Sequence, residues 1–250
     1  MNESALPFSR TELLIGREAM DRMQRARIIL FGIGGVGSWC AESLVRSGIR
    51  RLTLVDSDRV SPTNINRQLP ATVRTVGQLK VDVLRERFME INPDAEIEAV
   101  ASAYNAETSD AFRLETYDYI LDAIDSLSEK VHLIRTATGL PRATFFSSMG
   151  AALKLDPQRI RVAPFSRVAG CPLAAALRRR LKQGEPPAHD FLCIYSDEVL
   201  ENRGTLPSDT DASVWDARKA RINGTIAHTT AIFGFTLASL VVQHLCTHNP

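Results

Sequence analysis

The stretch that most constrains the fold is residues 28–58. An apolar run, Ile28-Ile29-Leu30-Phe31, enters Gly32-Ile33-Gly34-Gly35-Val36-Gly37. A helix-compatible segment follows at 38–47 and Gly48 stops it. A second apolar run, Leu52-Thr53-Leu54-Val55, then ends at Asp56 and Asp58. The order is strand, glycine turn, helix, strand, acid. Gly32 permits the tight turn, Gly34 and Gly35 let backbone N–H groups approach a phosphate, and Gly37 allows close helix–strand packing, with the helix N-terminus facing the anion. Asp56, at the end of the second strand, is placed to accept hydrogen bonds from ribose hydroxyls. A glycine-rich helix cap alone leaves that acid unexplained, so the stretch predicts a nucleotide site.

A chain of 250 residues can bury one large α/β core, and a single domain over 1–250 is expected. Its parts are a nucleotide unit at 27–150, a mixed-sheet half carrying a long flexible loop at about 196–223, and a C-terminal helix at 224–247. With 30 basic and 29 acidic side chains the net charge is +1, so nothing global points to nucleic acid, membrane or an acidic partner. Such binding has to come from local patches. Cys40, Cys171, Cys193 and Cys246 never approach a C-x-x-C spacing, which argues against a four-cysteine zinc site and a disulfide framework and for a reducing cytoplasm. The N-terminus has no apolar signal region. Residues 226–245 are long and fairly apolar, but His228, Gln243, His244 and several threonines favour a core helix or subunit contact over a membrane span. Peripheral membrane attachment through this helix stays open.

Along the chain, residues 11–25 read as an amphipathic helix. Thr11 is its cap, Leu13, Leu14, Ala19, Met20 and Met23 form its apolar stripe, and Gly16 and Arg17 interrupt it. After Asp58, the segment 60–74 carries Asn64, Asn66, Arg67 and Gln68 within five residues, with Pro62 and Pro70 preventing a regular helix. This reads either as a clamp for phosphate and base or as ordinary turn chemistry. Residues 77–91 form a helix that places Lys80 near its start, where a nearby polyphosphate would reverse the mild cost against the helix dipole. Then come a strand at 96–100, a helix at 106–114, a strand at 117–121, a helix at 126–138 and a strand at 144–147.

Past Gly150 the order changes. Residues 151–155 and 160–165 flank Asp156-Pro157 and read as a hairpin. A helix is expected at 171–182 with Arg178, Arg179, Arg180 and Lys182 at its end, either a solvated basic terminus or an RNA contact. Residues 191–195 form a strand. The fold class that follows is α/β, a Rossmann-like doubly wound sheet, parallel in the N-terminal half and mixed in the C-terminal half, with helices on both faces.

A glycine turn followed by an acid would by default indicate a dinucleotide-dependent oxidoreductase. Asp122 and Asp125, at the carboxyl end of a central strand, argue otherwise. Two carboxylates facing phosphates repel them unless a divalent metal lies between, and Mg²⁺ is typically held by one or two carboxylates plus substrate phosphates. Arg67 and Lys80 then neutralise a triphosphate, a position where one arginine is worth about 10³–10⁵ in rate. ATP with Mg²⁺ is the better fit.

Gly32-x-Gly34-Gly35-x-Gly37, Asp56-x-Asp58, Asn64-x-Asn66-Arg67-Gln68, Gly77-x-x-Lys80 and Asp122-x-x-Asp125 occur in an order and spacing that resemble the ThiF/MoeB/HesA superfamily of ubiquitin-activating-enzyme-like adenylyltransferases. The resemblance implies ATP activation of a carboxylate at the α-phosphate, on a homodimer. It implies Gly35 at the phosphates, Asp56 on the ribose, Asn66, Arg67 and Lys80 on the triphosphate and Asp125 on Mg²⁺. The remaining motif residues line the nucleotide, and Arg10 reaches a neighbouring subunit's site. Phe8-Ser9-Arg10-Thr11-Glu12-Leu13-Leu14-Ile15-Gly16, Ser147-Ser148-Met149-Gly150-Ala151 and Cys171-Pro172-Leu173-Ala174 most resemble the branch that cyclises threonylcarbamoyladenosine at tRNA position 37. The expected partners are that tRNA, a second copy of the chain and, for some members, a sulfur-acceptor or desulfurase-type protein. A monovalent cation beside Mg²⁺ stays open. The alternative function is activation of the C-terminal Gly-Gly of a ubiquitin-like or sulfur-carrier protein. The absence of paired C-x-x-C ligands favours the tRNA branch, and Cys193, nearest the long loop, reads as a buried structural thiol rather than a nucleophile.

Overall fold

The computed structural model describes residues 7–204 and 223–248. Its frame is one sheet of seven strands: β1 (Arg27–Phe31), β2 (Arg51–Val55), β3 (Glu96–Val100), β4 (Tyr119–Asp122), β5 (Thr144–Ser148), β6 (Ile160–Pro164) and β7 (Leu192–Ser196). Their spatial order is β3-β2-β1-β4-β5-β7-β6. Every neighbouring pair is parallel except β6 with β7. The helices are α1 (Ser9–Ile15), α2 (Arg17–Arg25), α3 (Gly37–Ser47), α4 (Lys80–Ile91), α5 (Leu127–Thr138), α6 (Pro172–Lys182) and α7 (Ala227–Thr247).

Central strands are apolar on both faces because both faces are covered. Ile28 and Leu30 pack with Leu44 of α3, Leu84 and Phe88 of α4, and Phe233, Leu237 and Val241 of α7. On the other face, Ile29 and Phe31 pack with Val131 and Ile134 of α5 and Leu177 and Leu181 of α6. The long apolar α7 is accounted for by this core. It crosses α3 so closely that a Cβ on Gly234 would lie 2.4 Å from the Val36 carbonyl oxygen.

Four expectations need correction. The helix expected at 11–25 is two helices, broken at Gly16 with φ +83°. Thr11 lies inside α1 rather than capping it, and Leu13 and Leu14 are 88% and 85% exposed, so only Ala19, Met20 and Met23 of the stripe face the core. The helix at 106–114 is replaced by two short 3₁₀ turns, Ser109–Phe112 and Leu114–Thr116. The Asn105 side-chain oxygen accepts from the Glu107 and Thr108 N–H groups, and this local pairing competes with a helical start. The hairpin at 151–165 does not form. Residues 153–156 are bonded to distant partners, Leu153 N–H to the Gly224 carbonyl and the Leu155 and Asp156 N–H groups to Glu198 Oε2, leaving β6 to pair with β7. The helix read from residue 77 begins at Lys80, because Gly77 has φ +88° and Leu79 is extended. Residues 205–222 of the loop expected at 196–223 lie outside the described residues. At its margins, Gly224 N–H donates to Asn202 Oδ1 at 2.8 Å.

Candidate active site

Strand order reverses at β1 and β4, and in open α/β sheets the crevice outside the carboxyl ends of two such strands is where ligands bind. The glycine turn leaves β1 there and residues 123–126 leave β4. The two turns touch: a Cβ on Gly32, whose φ is +86°, would lie 2.7 Å from the Ala123 carbonyl oxygen, and one on Gly37 would overlap the Gly32 carbonyl. Beside the turn, Gly34 has only Gln68 Nε2 near its Cβ direction, at 3.8 Å, so it faces open space. Gly35 is closed on its Cβ side by Thr230 of α7 at 3.2 Å.

Asp56 holds this turn from the end of β2. Its Oδ2 accepts the Ile33 N–H at 2.7 Å and its Oδ1 the Asp58 N–H at 2.8 Å, and each oxygen keeps a second lone pair for a ligand hydroxyl. Burial pushes the carboxyl above its usual range, while the Lys80 charge and the backbone donors pull the other way. Lys80 is itself buried, and its Nζ reaches Asp58 Oδ2 at 2.9 Å, with half of the Asp58 side chain left in solvent.

The segment after Asp58 holds both kinds of amide. Asn64 is turn chemistry: its Oδ1 accepts the Ser61 N–H at 3.0 Å. Asn66 bridges instead, donating through Nδ2 to the Thr225 carbonyl at 2.9 Å and accepting from Arg67 Nη1 at 2.9 Å. Arg67 also donates to the Thr63 carbonyl at 2.8 Å, and its own carbonyl accepts the Trp39 indole N–H. Burial lowers the Arg67 pKa, and the charge of Asp125 opposes that shift. Gln68 is 92% buried. Its Oε1 and Thr225 Oγ1 are the two buried side-chain oxygens without a hydrogen-bond partner among the described residues; Gln68 lies beside Gly34, and Thr225 is the residue whose carbonyl Asn66 reaches.

The two carboxylates after β4 do not share one environment. Asp122 does not face a phosphate. It is wholly buried, with Lys130 Nζ 2.7 Å from Oδ2, the Ser147 hydroxyl donating to Oδ2 at 2.7 Å and the Ile124 N–H donating to Oδ1 at 3.0 Å. A sealed carboxylate needs such partners, since an unpaired buried charge is costly. Asp125 alone of the pair is exposed. Arg10 is exposed on α1, and no hydrogen bond or ion pair among the described residues joins it to the site.

Lys130, Thr225 and Thr230 carry no motif and escape a sequence reading, and Ser147, although inside the Ser147–Ala151 motif, gives no sequence sign that it would bond Asp122. The only signal was a polar first turn, Thr229 and Thr230, on an otherwise apolar helix. Cys193 is fully buried and burial pushes its thiol well up, which suits a structural role.

Fold and site define a nucleotide-binding α/β protein in which an arginine, a lysine and an open carboxylate gather at the switch point. The chain belongs to the ThiF family, whose model matches residues 8–250. It is 42% identical over 192 residues to the tRNA threonylcarbamoyladenosine dehydratase of Bacillus subtilis (strain 168), covering 76% of this chain and 74% of that one. To the protein of that name in Escherichia coli (strain K12) it is 35% identical over 251 residues, covering 95% and 92%. A crystal structure of the E. coli tRNA N6-threonylcarbamoyladenosine dehydratase in complex with ATP superposes with a TM-score of 0.83 at 32% identity, covering 96% of this chain and 93% of that one.

Proposed function

We propose that this chain is an ATP-dependent tRNA threonylcarbamoyladenosine dehydratase, which activates the free carboxylate of the modification at tRNA position 37 and cyclises it with loss of water. The observation that carries this reading is the kinship to dehydratases of that name over nearly the whole chain, joined to a site of matching chemistry. Gly34 has open space on its Cβ side, Gln68 lies buried beside it with its Oε1 unpartnered among the described residues, and the charge of Asp125 acts on Arg67. These residues fit a nucleotide and one divalent ion.

In this reading the Gly32–Gly37 turn receives phosphates, Asp56 accepts ribose hydroxyls, and Asn66, Arg67 and Lys80 neutralise the triphosphate. Asp125 holds Mg²⁺, which when bound supplies charge stabilisation on the phosphate oxygens. Asp58 keeps Lys80 oriented, and Asn66 does the same for Arg67. A carboxylate oxygen of the modification attacks the α-phosphorus and the bond to the β-phosphate breaks, releasing pyrophosphate. A urea nitrogen of the same group then attacks the activated carbonyl carbon, the bond to AMP breaks and the nitrogen loses its proton. The departing oxygen leaves on AMP, so the nucleoside loses one water. The capture is intramolecular and needs no enzyme nucleophile, in keeping with the buried Cys193.

A second copy of the chain is the natural cover for α1, which has no buried residue and presents Leu13 and Leu14 to solvent. Arg10 on that helix then enters the neighbour's site. The four free cysteines suit a reducing, cytoplasmic setting. The test is ATP turnover by the purified protein. Turnover is expected to require tRNA bearing linear threonylcarbamoyladenosine and to stop on ribonuclease treatment. Turnover that instead requires a small protein ending in Gly-Gly, and survives ribonuclease, replaces this reading with carrier-protein activation.

A further inference from the structure

Two open cavities of nearly equal size mark the surface outside the nucleotide site. One, of about 690 Å³, lies between α5 and α6. The other, of about 680 Å³, lies against β1, β2 and β3. They differ in where they begin. The first starts at Asn105, just beyond β3, and at Ser128 in the first turn of α5, three residues after Asp125. It runs down α5 past His132 to Arg135 and Arg180, and the seven steps from Ser128 to Arg135 rise about 10 Å. The second is lined by Arg27, Arg51 and Glu96, the opening residues of their strands, and so lies at the opposite edge of the sheet from the site.

Their charges are also differently engaged. At the far edge Arg51 is paired with Glu96 at 3.4 Å and Arg27 lies over the Tyr117 ring at 5.6 Å. In the α5–α6 groove, Arg135 donates only its Nε, to the Glu185 carbonyl, and Arg180 has no ion pair among the described residues. The two acids of this groove form no ion pair with its arginines among the described residues. Glu129 is turned to the helix start, where it accepts from the Ser126 and Ser128 hydroxyls, and Glu107 follows Asn105 at the upper end. Beyond the groove, Arg179 and Lys182 are exposed and also unpaired among the described residues. Arg178 stands apart from this basic run. It donates to the Phe165 carbonyl at 3.2 Å and covers the Phe165 ring.

We propose that the α5–α6 groove is the docking track for the sugar–phosphate backbone of the tRNA, with Arg135 and Arg180 on phosphates and Arg179 and Lys182 extending the contact. The inference rests on the tRNA reading of the site. A base inserted beside Asp125 leaves the rest of its anticodon arm outside the crevice, and the α5–α6 groove, with Arg135 and Arg180 in its lining, starts there. Backbone contacts of this kind position RNA without reading its sequence, which leaves recognition to the inserted modification.

The test is binding of tRNA bearing linear threonylcarbamoyladenosine over a series of salt concentrations, with ATP affinity measured by calorimetry on the same proteins. The groove variant is Arg135→Gln with Arg180→Gln, and the control is Arg27→Gln with Arg85→Gln in the far cavity. The groove variant is expected to bind tRNA about tenfold more weakly, with the slope of log affinity against log salt shallower by about 2, while ATP affinity stays put. The control is expected to stay within about twofold of the unaltered protein. Because Arg135 also braces the Glu185 carbonyl, Arg180→Glu alone, at an exposed side chain, guards against a folding artefact and is expected to weaken tRNA binding as well. An unchanged affinity and salt slope in the groove variants overturns the proposal, as does an equal loss in the control. If the unaltered protein binds no tRNA while binding ATP, the tRNA reading itself fails.

Discussion

Two aspartate–lysine pairs stand at the carboxyl edge of the sheet, and they do opposite things. Lys80 reaches Asp58 at 2.9 Å with half of the acid in solvent, whereas Lys130 reaches Asp122 at 2.7 Å with both side chains wholly enclosed. The open pair sits after β2 beside the glycine turn, where a ligand's phosphates can compete for the lysine. The closed pair sits under β4 and β5, where Lys130 also donates to the Ile124 carbonyl and so holds the backbone just before Asp125. In the proposed reading the same two residue types serve chemistry in one place and framework in the other. Burial and saturation of hydrogen bonds separate the roles, not identity.

Breaking the closed pair gives the largest effect. Lys130→Met strands a buried carboxylate, and the stability to guanidinium is expected to fall by about 3–5 kcal/mol. The double change Asp122→Asn with Lys130→Met is expected to recover more than half of that. A loss under about 1 kcal/mol in the single variant contradicts the framework role. The open pair behaves differently. Lys80→Met is expected to cost about 10²–10³ in ATP-dependent turnover, as losing one donor to developing charge does, with stability changed by no more than about 1 kcal/mol. Equal stability losses in Lys80→Met and Lys130→Met erase the distinction.

The smallest effects are in pH. Glu42 of α3 is an intermediate case, buried, but bridged to the half-exposed Arg87 and Arg46. Burial works against its charge, yet the two arginines outweigh that and hold the carboxyl below its usual range. Its stabilisation is present above the unfolded value of about 4.3 and is lost as pH falls through the lower folded value. Asp56 has the opposite sign. Burial raises it in the folded state, so its contribution is greatest below about pH 3.9 and declines as pH rises to the raised value. Thermal melts from acid to neutral pH are expected to show Glu42→Gln losing stability mainly toward neutral pH, by about 1–2 kcal/mol. Asp56→Asn is expected to gain relative to the unaltered protein over the same rise. Parallel shifts in both variants contradict the assigned causes.

How much of this was legible follows from the range of the forces involved. The β1–α3–β2 unit and the parallel order were readable because glycines, periodicity and strand ends are local signals. The 106–114 helix does not form because Asn105 caps its own neighbours, a competition that periodicity does not register. The 151–165 hairpin does not form because β6 finds its partner in β7, about thirty residues later and beyond the reach of a turn signal. Asp122 and Asp125 are equivalent on paper, and what divides them is Lys130 on α5 and Ser147 on β5, whose pairing with Asp122 no sequence pattern announces. Leu13 and Leu14 show the same limit: their spacing predicts an apolar face, but not that the folded chain leaves it uncovered.

The most direct test of the account is the mass of the modified nucleoside after the purified protein, ATP and Mg²⁺ are incubated with tRNA carrying linear threonylcarbamoyladenosine, with Asp125→Ala run in parallel. The account predicts loss of one water with the unaltered protein, and none with the variant although it stays folded and binds ATP. Dehydration by Asp125→Ala at the unaltered rate, or an unchanged nucleoside in the presence of the unaltered, ATP-bound protein, would contradict it.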